Sequence, residues 1–522
     1  MDIERSSVDL VKREFLAVLL AGFGNELLPL TSDHGDEPCP KALLPVVNKP
    51  MIDYVLNWIE QSGIRDVLLI CPAIHRPTLY HHIHSGTSVA PSSLNIDLQT
   101  YDESQDTSVG TCTLLRHFSS RIPEDFVLVP CDFIPPPSLP LSLLLDKFRV
   151  DAIFDGSIAT TCWFAAHRPE KGSFPDEWGP SPPPVPIVWD EPTGTLLHID
   201  TPDDLDRNPE EIELRMALLS RYPRTKLSSS FQDSHVYVCR RSVLDVLHEK
   251  RHFDSIREEF VPWLLKVHYQ RTKREKYARF LNPITNTTSQ TLALKHSTML
   301  SRHQNNVSHD SIGLHTKDPS VSGPTSPMEA DGDYGDSNSF RVGVIIHRAD
   351  AGFAIRVNTI PSFLEMNRRL LSQTTYSLPT DPKNRSLIDQ KAQISSDTMI
   401  GDSTQVSERT TIKKSVIGRH CVIGKMVKIV GCVLLDHCVI EDGAKLDGCI
   451  LGKNTKVGAK AELSRCVTQA GYEVSAGESV KGEKLDISDW TANPEDGDDE
   501  GSDEETGEGT DDDDDDGDDE SD

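Results

Sequence analysis

The stretch FLAVLLAGFGNELLPLTSDHGDEPCPKALLPVVNKPMIDYVL, residues 15–56, decides the fold of the first part of the chain. It opens with a short run that is apolar on both faces, which is typical of a buried strand. Gly22 and Gly24 follow at once and predict a tight loop whose backbone amides can approach a phosphate. The stretch then enters an amphipathic helix, for which Asn48 is the expected N-cap and Gly63 the stop.

Two further apolar runs extend this pattern. DVLLICP (residues 66–72) and FVLVPCD (residues 126–132) are short and bounded by Pro or Asp, as buried strands are. Because strands and helices alternate, the sequence predicts a right-handed parallel α/β sheet. Further along, DSIREEFVPWLLKVH opens with a predicted capping box of Ser255 and Glu258.

The chain as a whole divides into segments of different composition. We expect an N-terminal extension (1–14), an α/β domain (15–380), a β-helix domain (386–485) and an acidic tail (490–522). Residues from about 283 to 338 are rich in Ser, Thr, Asn and Gly and bury too little to offset chain entropy, which predicts a disordered insertion. FRVGVIIH and FAIRVNTIPSFLEMNRRLL then predict a pair of strands followed by a helix, so the insertion interrupts the α/β domain.

The last folded segment carries a hexapeptide period. Aliphatic residues recur in steps of six, with steps of five that we interpret as irregularities between coils: Ile388, Ile394, Ile400, Val406, Ile412, Ile417, Ile423, Ile429, Leu435, Ile440, Leu446, Leu451, Val457 and Leu463. Glycine often follows, at Gly401, Gly418, Gly424, Gly452 and Gly458, where we expect tight corners. This period predicts a parallel β-helix with the aliphatic side chains stacked inside it.

Charge and cysteine usage exclude several classes. Residues 495–522 hold 19 Asp and Glu and no Lys or Arg, so they account for most of the net charge of −29. Such a tail repels nucleic acid and is expected to be disordered, either as a docking segment for a basic partner or as a solubilising one. The 11 cysteines form no C-x-x-C pair, which argues for reduced core residues. No apolar run is long enough for a signal peptide or membrane span, so we expect a cytosolic protein.

Two groups of histidines allow alternative interpretations. His420 and His437 lie in the hexapeptide segment, where a histidine serves either as an acyl-transfer base or, as we favour, as a corner or surface residue. His81, His82 and His84 could bind a transition metal, but adjacent histidines diverge on a helix and no carboxylate accompanies them. We therefore expect no metal site.

The motifs LLAGFGNELLPLT, CPKALLPVVNKPMIDYVL, VGTCTLL and VPCDFI, followed by a β-helix, resemble the sugar-nucleotide pyrophosphorylase superfamily over about residues 15–485. The resemblance implies a nucleotidyltransferase-like, Rossmann-type mixed sheet and then a left-handed parallel β-helix. It assigns nucleotide binding to Gly22, Gly24, Lys41 and Asp132, with Asp132 in the position of the metal-binding carboxylate.

The match to active members of that superfamily is partial. One glycine is missing between Ala21 and Gly24, and Glu26 stands where active members carry Arg. At about 4 Å from a phosphate this exchange turns an attraction of about 4 kcal/mol into a repulsion of similar size. We therefore expect no nucleotidyl transfer and assign no catalytic residue.

Three other segments, FDSIREEFVPWLL, DSHVYVCRRSVLDVL and IRVNTIPSFLEMNRRLL, are similar to the gamma-subunit family of translation initiation factor 2B, a guanine-nucleotide exchange factor. This resemblance implies a non-catalytic subunit without a cofactor. Its implied partners are the epsilon subunit, the other subunits of the complex, and initiation factor 2 with GDP or GTP. An active sugar-1-phosphate nucleotidyltransferase, such as a mannose-1-phosphate guanylyltransferase, is the alternative, and a pocket that binds a nucleotide without turnover is a third.

Overall fold

The computed structural model describes residues 14–31, 39–85, 93–102, 109–167, 175, 178–179, 185–201, 212, 214–281, 340–373 and 381–486. The predictions of an N-terminal extension, a disordered insertion and an acidic tail therefore fall almost entirely outside the described residues.

The first part of the chain builds one large mixed sheet. Its strands, with those of two small pairings, are β1 (Phe15–Leu20), β2 (Pro45–Val46), β3 (Lys49–Pro50), β4 (Asp66–Pro72), β5 (Asn95–Tyr101), β6 (Asp125–Pro130), β7 (Phe133–Ile134), β8 (Ala159–Ala165), β9 (Ile187–Asp190), β10 (Thr195–Ile199), β11 (Thr225–Ser228), β12 (Phe231–Cys239), β13 (Val342–His347) and β14 (Ile355–Arg356). The ten-stranded order is β11-β9-β10-β13-β8-β12-β6-β1-β4-β5. Strands β5, β4, β1 and β6 run parallel, which confirms the α/β prediction.

Helices cover this sheet and pack apolar clusters against both of its faces. The helices of the described residues are Met51–Gln61, Arg76–His84, Thr111–His117, Leu141–Phe154, Met216–Arg221, Ser242–Glu249, Val261–Tyr269, Arg271–Leu281, Ile360–Gln373 and Pro382–Ser386. The last of these contacts the first coil of the β-helix instead of the sheet. No helix among the residues described above has both the length and the apolarity needed to cross a bilayer.

The two strands predicted after the insertion both form, but the prediction that they pair with each other is wrong. Strand β13 lies between β8 and β10 in the large sheet, parallel to β8. Strand β14 pairs instead with β7, close to the end of β6. The chain thus returns to the same sheet with β13 but places its next strand in a separate two-stranded pairing beyond the end of β6.

The helix that follows the glycine loop begins at Met51, and its stripe of Ile52, Val55, Leu56 and Ile59 is fully buried as expected. The predicted N-cap at Asn48 is wrong. Val47 and Asn48 both have positive φ (51° and 57°) and form the two-residue turn between β2 and β3. The Asn48 side chain donates instead to the carbonyl oxygen of Ile417, 2.7 Å away in the β-helix.

The capping box at Ser255 is half confirmed. The Ser255 hydroxyl accepts a hydrogen bond from the Glu258 amide, but the returning carboxylate belongs to Glu259, whose Oε2 accepts from the Ser255 amide at 3.0 Å. The first turn, Ile256–Phe260, is a π-turn, and its wider winding brings the next residue back to the cap.

The second part of the chain is a left-handed parallel β-helix of three sheets. Its strands are β15 (Gln393–Ile394), β16 (Met399–Ile400), β17 (Gln405–Val406), β18 (Thr411–Lys413), β19 (Val416–Ile417), β20 (Val422–Ile423), β21 (Lys428–Val430), β22 (Val433–Leu434), β23 (Val439–Ile440), β24 (Lys445–Asp447), β25 (Ile450–Leu451), β26 (Lys456–Val457), β27 (Glu462–Ser464), β28 (Val467–Thr468), β29 (Glu473–Val474), β30 (Ser479–Lys481) and β31 (Lys484–Leu485). Residues stacked in successive coils are 17 positions apart, except that β15 and β18 pair at a spacing of 18. The step of five therefore recurs in every coil after the first and is not an irregularity. It also makes Leu434 the interior residue in place of Leu435.

The two parts of the chain share an apolar cluster. On the sheet formed by β16, β19, β22, β25, β28 and β31, the outward residues Val416, Val433, Ile450 and Val467 are at most 2% exposed. They belong to one cluster with Phe363 and neighbouring residues of the helix Ile360–Gln373. This contact places the β-helix against the α/β part, and the boundary near residues 380–386 remains a prediction.

Candidate functional site

A cavity of about 210 Å³ lies at the carboxyl ends of β1, β4 and β6. This edge is where α/β sheets bind their ligands. Its polar and charged lining residues are Lys41, Tyr101, Thr111, Asp132, His235, Tyr237, Ser255, Arg257 and Arg356, and apolar side chains form the remaining wall. Three of the four predicted site residues, Gly22, Lys41 and Asp132, line it.

Asp132 follows β6 and is 1% exposed. The Arg356 guanidinium holds it through two hydrogen bonds, from Nε to Oδ1 at 3.0 Å and from Nη2 to Oδ2 at 2.8 Å. The Lys41 ammonium donates to the same Oδ2 at 2.5 Å. Both carboxylate oxygens therefore already accept hydrogen bonds from cations.

The charge of Asp132 is fixed by these contacts. Burial alone would raise the pKa of Asp132, but the charges of Arg356 and then Lys41 outweigh it and hold the pKa well below its ordinary value. The carboxylate in turn raises the pKa of Arg356 despite the burial of the guanidinium. One carboxylate thus lies between two cationic side chains, and the cluster carries a net positive charge.

The two glycines differ in role. Gly22 lines the cavity, and no atom lies within 4 Å of where its Cβ would be. Gly24 adopts φ +93°, and a Cβ there would lie 2.9 Å from the Cβ of Lys41. Gly24 thus lets the loop pack on the Lys41 stem and is not among the residues that line the cavity.

Glu26 does not take the place that we predicted. It lies in the 3₁₀ turn Asn25–Leu27, its side chain is exposed, and it is not among the residues lining the cavity. The shortened loop turns at Gly24 before the chain reaches Glu26. Direct repulsion of a bound phosphate by Glu26 therefore cannot be the main reason for a loss of nucleotidyl transfer.

A second buried carboxylate stands behind the cavity wall. Asp233, 2% exposed, accepts hydrogen bonds from the Tyr237 hydroxyl and, at 2.9 Å, from the His235 amide. These residues form a bulge in β12, with His235 at φ 56°. Burial, Arg356 and Arg257 hold the pKa of His235 well below its ordinary value, so the imidazole is neutral at pH 7.

A divalent metal does not fit this arrangement. Mg²⁺ needs a carboxylate oxygen at about 2.0–2.1 Å and further oxygen ligands. Both oxygens of Asp132 already accept hydrogen bonds from two cations, and Asp233 is engaged by a hydroxyl and an amide. What the arrangement provides is positive charge and hydrogen-bond donors beside an apolar wall.

Sequence reasoning missed Arg356, which is separated from Asp132 by 224 positions. One local signal existed: Arg356 is the only charged residue in the otherwise largely apolar run FAIRVNTI. A charged side chain inside such a run needs a buried partner. The partner itself could not be read from the sequence.

The histidine groups have other surroundings. His420 and His437 occupy left-handed corners of successive coils, and their rings stack at 5.0 Å, as expected for corner residues. His82 pairs with Asp53 at 2.9 Å, whereas His84 contacts the carbonyl oxygen of Tyr80. Within the described ranges, no group of three or more His, Cys, Asp or Glu could hold a metal ion.

Comparison with known proteins follows the two parts of the chain. Residues 16–135 match a family model described as nucleotidyl transferase, and residues 382–480 match one described as the EIF2B subunit epsilon LbH domain. Translation initiation factor eIF2B subunit gamma of Schizosaccharomyces pombe is 30% identical over 402 residues, which cover 77% of this chain and 72% of the relative. The chain belongs to the eIF2B gamma-subunit family.

More distant relatives agree with this membership. The eIF2B gamma subunit of Dictyostelium discoideum is 22% identical over 425 residues, covering 74% of this chain and 84% of the relative. The eIF2B epsilon subunit of Schizosaccharomyces pombe is 24% identical over 271 residues, covering 50% of this chain and 37% of the relative. The gamma-family match spans both the sheet and the β-helix, and the alternative of an active sugar-1-phosphate nucleotidyltransferase is not favoured.

Proposed function

We propose that this chain is a non-catalytic subunit of the cytosolic translation initiation factor 2B complex, which promotes GDP/GTP exchange on initiation factor 2. The observation that carries the proposal is the 30% identity to a gamma subunit over 77% of the chain. The relation to an epsilon subunit and the epsilon-type β-helix model support the epsilon subunit as a direct partner, because related folds present related surfaces.

The lack of nucleotidyl transfer is part of this proposal. Its support is the ion cluster: Asp132, which stands in the position of the superfamily's metal-binding carboxylate, is held by Arg356 and Lys41. In this function the α/β part and the β-helix serve assembly with the other subunits and help to hold initiation factor 2.

Affinity purification of the tagged full chain from its native host tests the assembly. We expect the epsilon subunit, the other complex subunits and initiation factor 2 to be recovered and identified by mass spectrometry. Recovery of the chain alone would overturn the proposal. A pyrophosphate-release assay with GTP and mannose 1-phosphate should give no product above background, whereas turnover would revive the nucleotidyltransferase alternative.

We further propose that the cavity is a remnant nucleotide site that binds a phosphate-bearing ligand without turnover. Gly22, Lys41 and Asp132 line it, and Gly24 supports Lys41 from behind. Binding of a fluorescent GTP analogue tests this proposal. Gly22→Leu, which would extend into open space at the cavity, should abolish binding, whereas Gly63→Asn, in a helix-terminal turn, should not change it.

A further inference from the structure

The ion cluster around Asp132 is built as a closed set of contacts. Of the three side chains, Asp132 is 1% exposed, Lys41 12% and Arg356 14%. The guanidinium approaches the carboxylate through two nitrogens, which fixes the positions of both groups. A carboxylate held in this way has its main acceptor directions used by N–H groups.

The other charged groups around the cavity also favour an anion over a cation. Arg257 adds a third cation to the lining, whereas Asp233 accepts from Tyr237 and the His235 amide. Divalent cations need carboxylate oxygens that are free and surrounded by little positive charge. Anions need positive charge and N–H donors, which Lys41, Arg257 and Arg356 supply.

Arg356 and Lys41 also retain donors beyond those that Asp132 uses. A guanidinium has five N–H donors and an ammonium three, and the contacts with Asp132 use two and one of them. The backbone at Gly22 borders the same space and leaves it open for a close approach.

We infer that Arg356 is a built-in cation that takes the place of a divalent metal at Asp132, so that the cavity holds a phosphate group without a metal. The inference rests on the proposed ligand-binding role of the cavity and names its chemistry. Arg356 is a binding residue here, and Asp132 positions it.

The test uses inorganic pyrophosphate and the purified full chain in titration calorimetry. We expect the dissociation constant to change less than about twofold between buffer with EDTA and buffer with Mg²⁺. Arg356→Gln should weaken binding at least about tenfold, and Arg356→Lys should weaken it less. Arg348→Gln, at an arginine that is 58% exposed and pairs with Glu191, is the matched control and should bind as the wild type does.

A second measurement tests the absence of a metal at Asp132 and leaves Arg356 in place. Bound Mn²⁺ is counted by electron paramagnetic resonance in the wild type and in Asp132→Asn, so that the acidic tail contributes the same background to both. Equal counts are expected. One Mn²⁺ fewer in Asp132→Asn, a requirement of pyrophosphate for Mg²⁺, or no binding of pyrophosphate would each overturn the inference. None of these outcomes bears on whether the chain co-purifies with the other subunits. A failure of this inference can therefore be told apart from a failure of the assembly proposal.

Discussion

Asp132 carries its charge where water hardly reaches it. Removing a carboxylate from water costs several kcal/mol, and only good geometry with paired cations offsets that cost. Arg356 and Lys41 supply three hydrogen bonds to the two oxygens. Such a pair contributes little net stability compared with apolar residues of the same size, but it is strongly destabilising when one member is removed.

Replacing Arg356 by Met should therefore destabilise the fold by about 3–5 kcal/mol, because Asp132 is left buried with Lys41 alone. Urea unfolding followed by tryptophan fluorescence measures this in a Trp490→Phe background, since the other five tryptophans, Trp58, Trp163, Trp178, Trp189 and Trp263, all precede the β-helix. The double variant Asp132→Leu with Arg356→Met should recover most of the loss. Equal stability of the single and double variants would contradict the argument.

The same carboxylate predicts a pH dependence. Because the folded state holds the pKa of Asp132 below its ordinary value of about 3.9, the ionised form stabilises the fold at every pH above that value. The contribution is lost as the pH falls below about 4 toward the folded pKa. The difference in unfolding free energy between wild type and Asp132→Asn should thus stay constant from about pH 8 to pH 5 and shrink at lower pH. A constant difference for Asp132→Asn down to about pH 3 would refute the assignment.

At the scale of elements, glycine could be required in the β-helix for two reasons: a left-handed corner or close contact with the next coil. Many of its left-handed corners carry side chains, among them Arg409, His420 and Asn454. Gly418 instead lies where a Cβ would come within 2.6 Å of the Leu435 backbone in the next coil. The glycines that follow aliphatic residues are thus required by coil-to-coil contact and not, as we predicted, by the corners.

Gly418→Ala should therefore cost roughly 1–3 kcal/mol, as overpacking against backbone does. The matched control is Gly471→Asn, at a left-handed position (φ +75°) with no atom within 4 Å of the added Cβ. Asparagine tolerates this conformation, so its cost should stay below about 1 kcal/mol. Thermal unfolding followed by far-UV circular dichroism measures both. A greater loss for Gly471→Asn would show that corner strain dominates.

Local patterns predicted most elements because their causes are local. Apolar runs gave β1, β4 and β6, and the hexapeptide period gave the β-helix. The errors arose where a distant residue competes for a side chain. The Asn48 side chain donates a hydrogen bond to the Ile417 carbonyl oxygen, and Asp132 pairs with Arg356. Both partners are hundreds of positions away, so a local stretch of sequence does not contain them.

At the scale of the whole molecule, the helix Ile360–Gln373 joins the two parts. It packs in one apolar cluster with outward-facing residues of the β-helix. Among the described strands of the β-helix, outward-facing apolar residues are buried only on the side that contacts this helix. On a neighbouring side, the outward Val422 and Val439 are 42% and 36% exposed. The sequence marks the difference only in part. Strands facing the helix have two apolar residues in succession, as in Val433–Leu434 and Ile450–Leu451, but so do Val422–Ile423 and Val439–Ile440 on the exposed side. Only the polar outward residues Gln405, Lys456 and Glu473 set that side apart.

This shared cluster predicts that the two parts unfold together. Two signals should change at the same midpoint in urea. The first is the tryptophan fluorescence of the α/β part, measured in a Trp490→Phe background because Trp490 follows the β-helix. The second is the alkylation, resolved by peptide mass spectrometry, of the buried β-helix thiols Cys421, Cys432, Cys438, Cys449 and Cys466. Val433→Asp, at a side chain 2% exposed, buries an unpaired charge in the cluster and should separate the two midpoints. Val439→Asp introduces the same charge at a partly exposed position on the next strand and should leave them coincident. Protected β-helix thiols beyond the tryptophan transition of the wild type would mean that the cluster does not couple the parts, and the β-helix would then be a unit stable on its own.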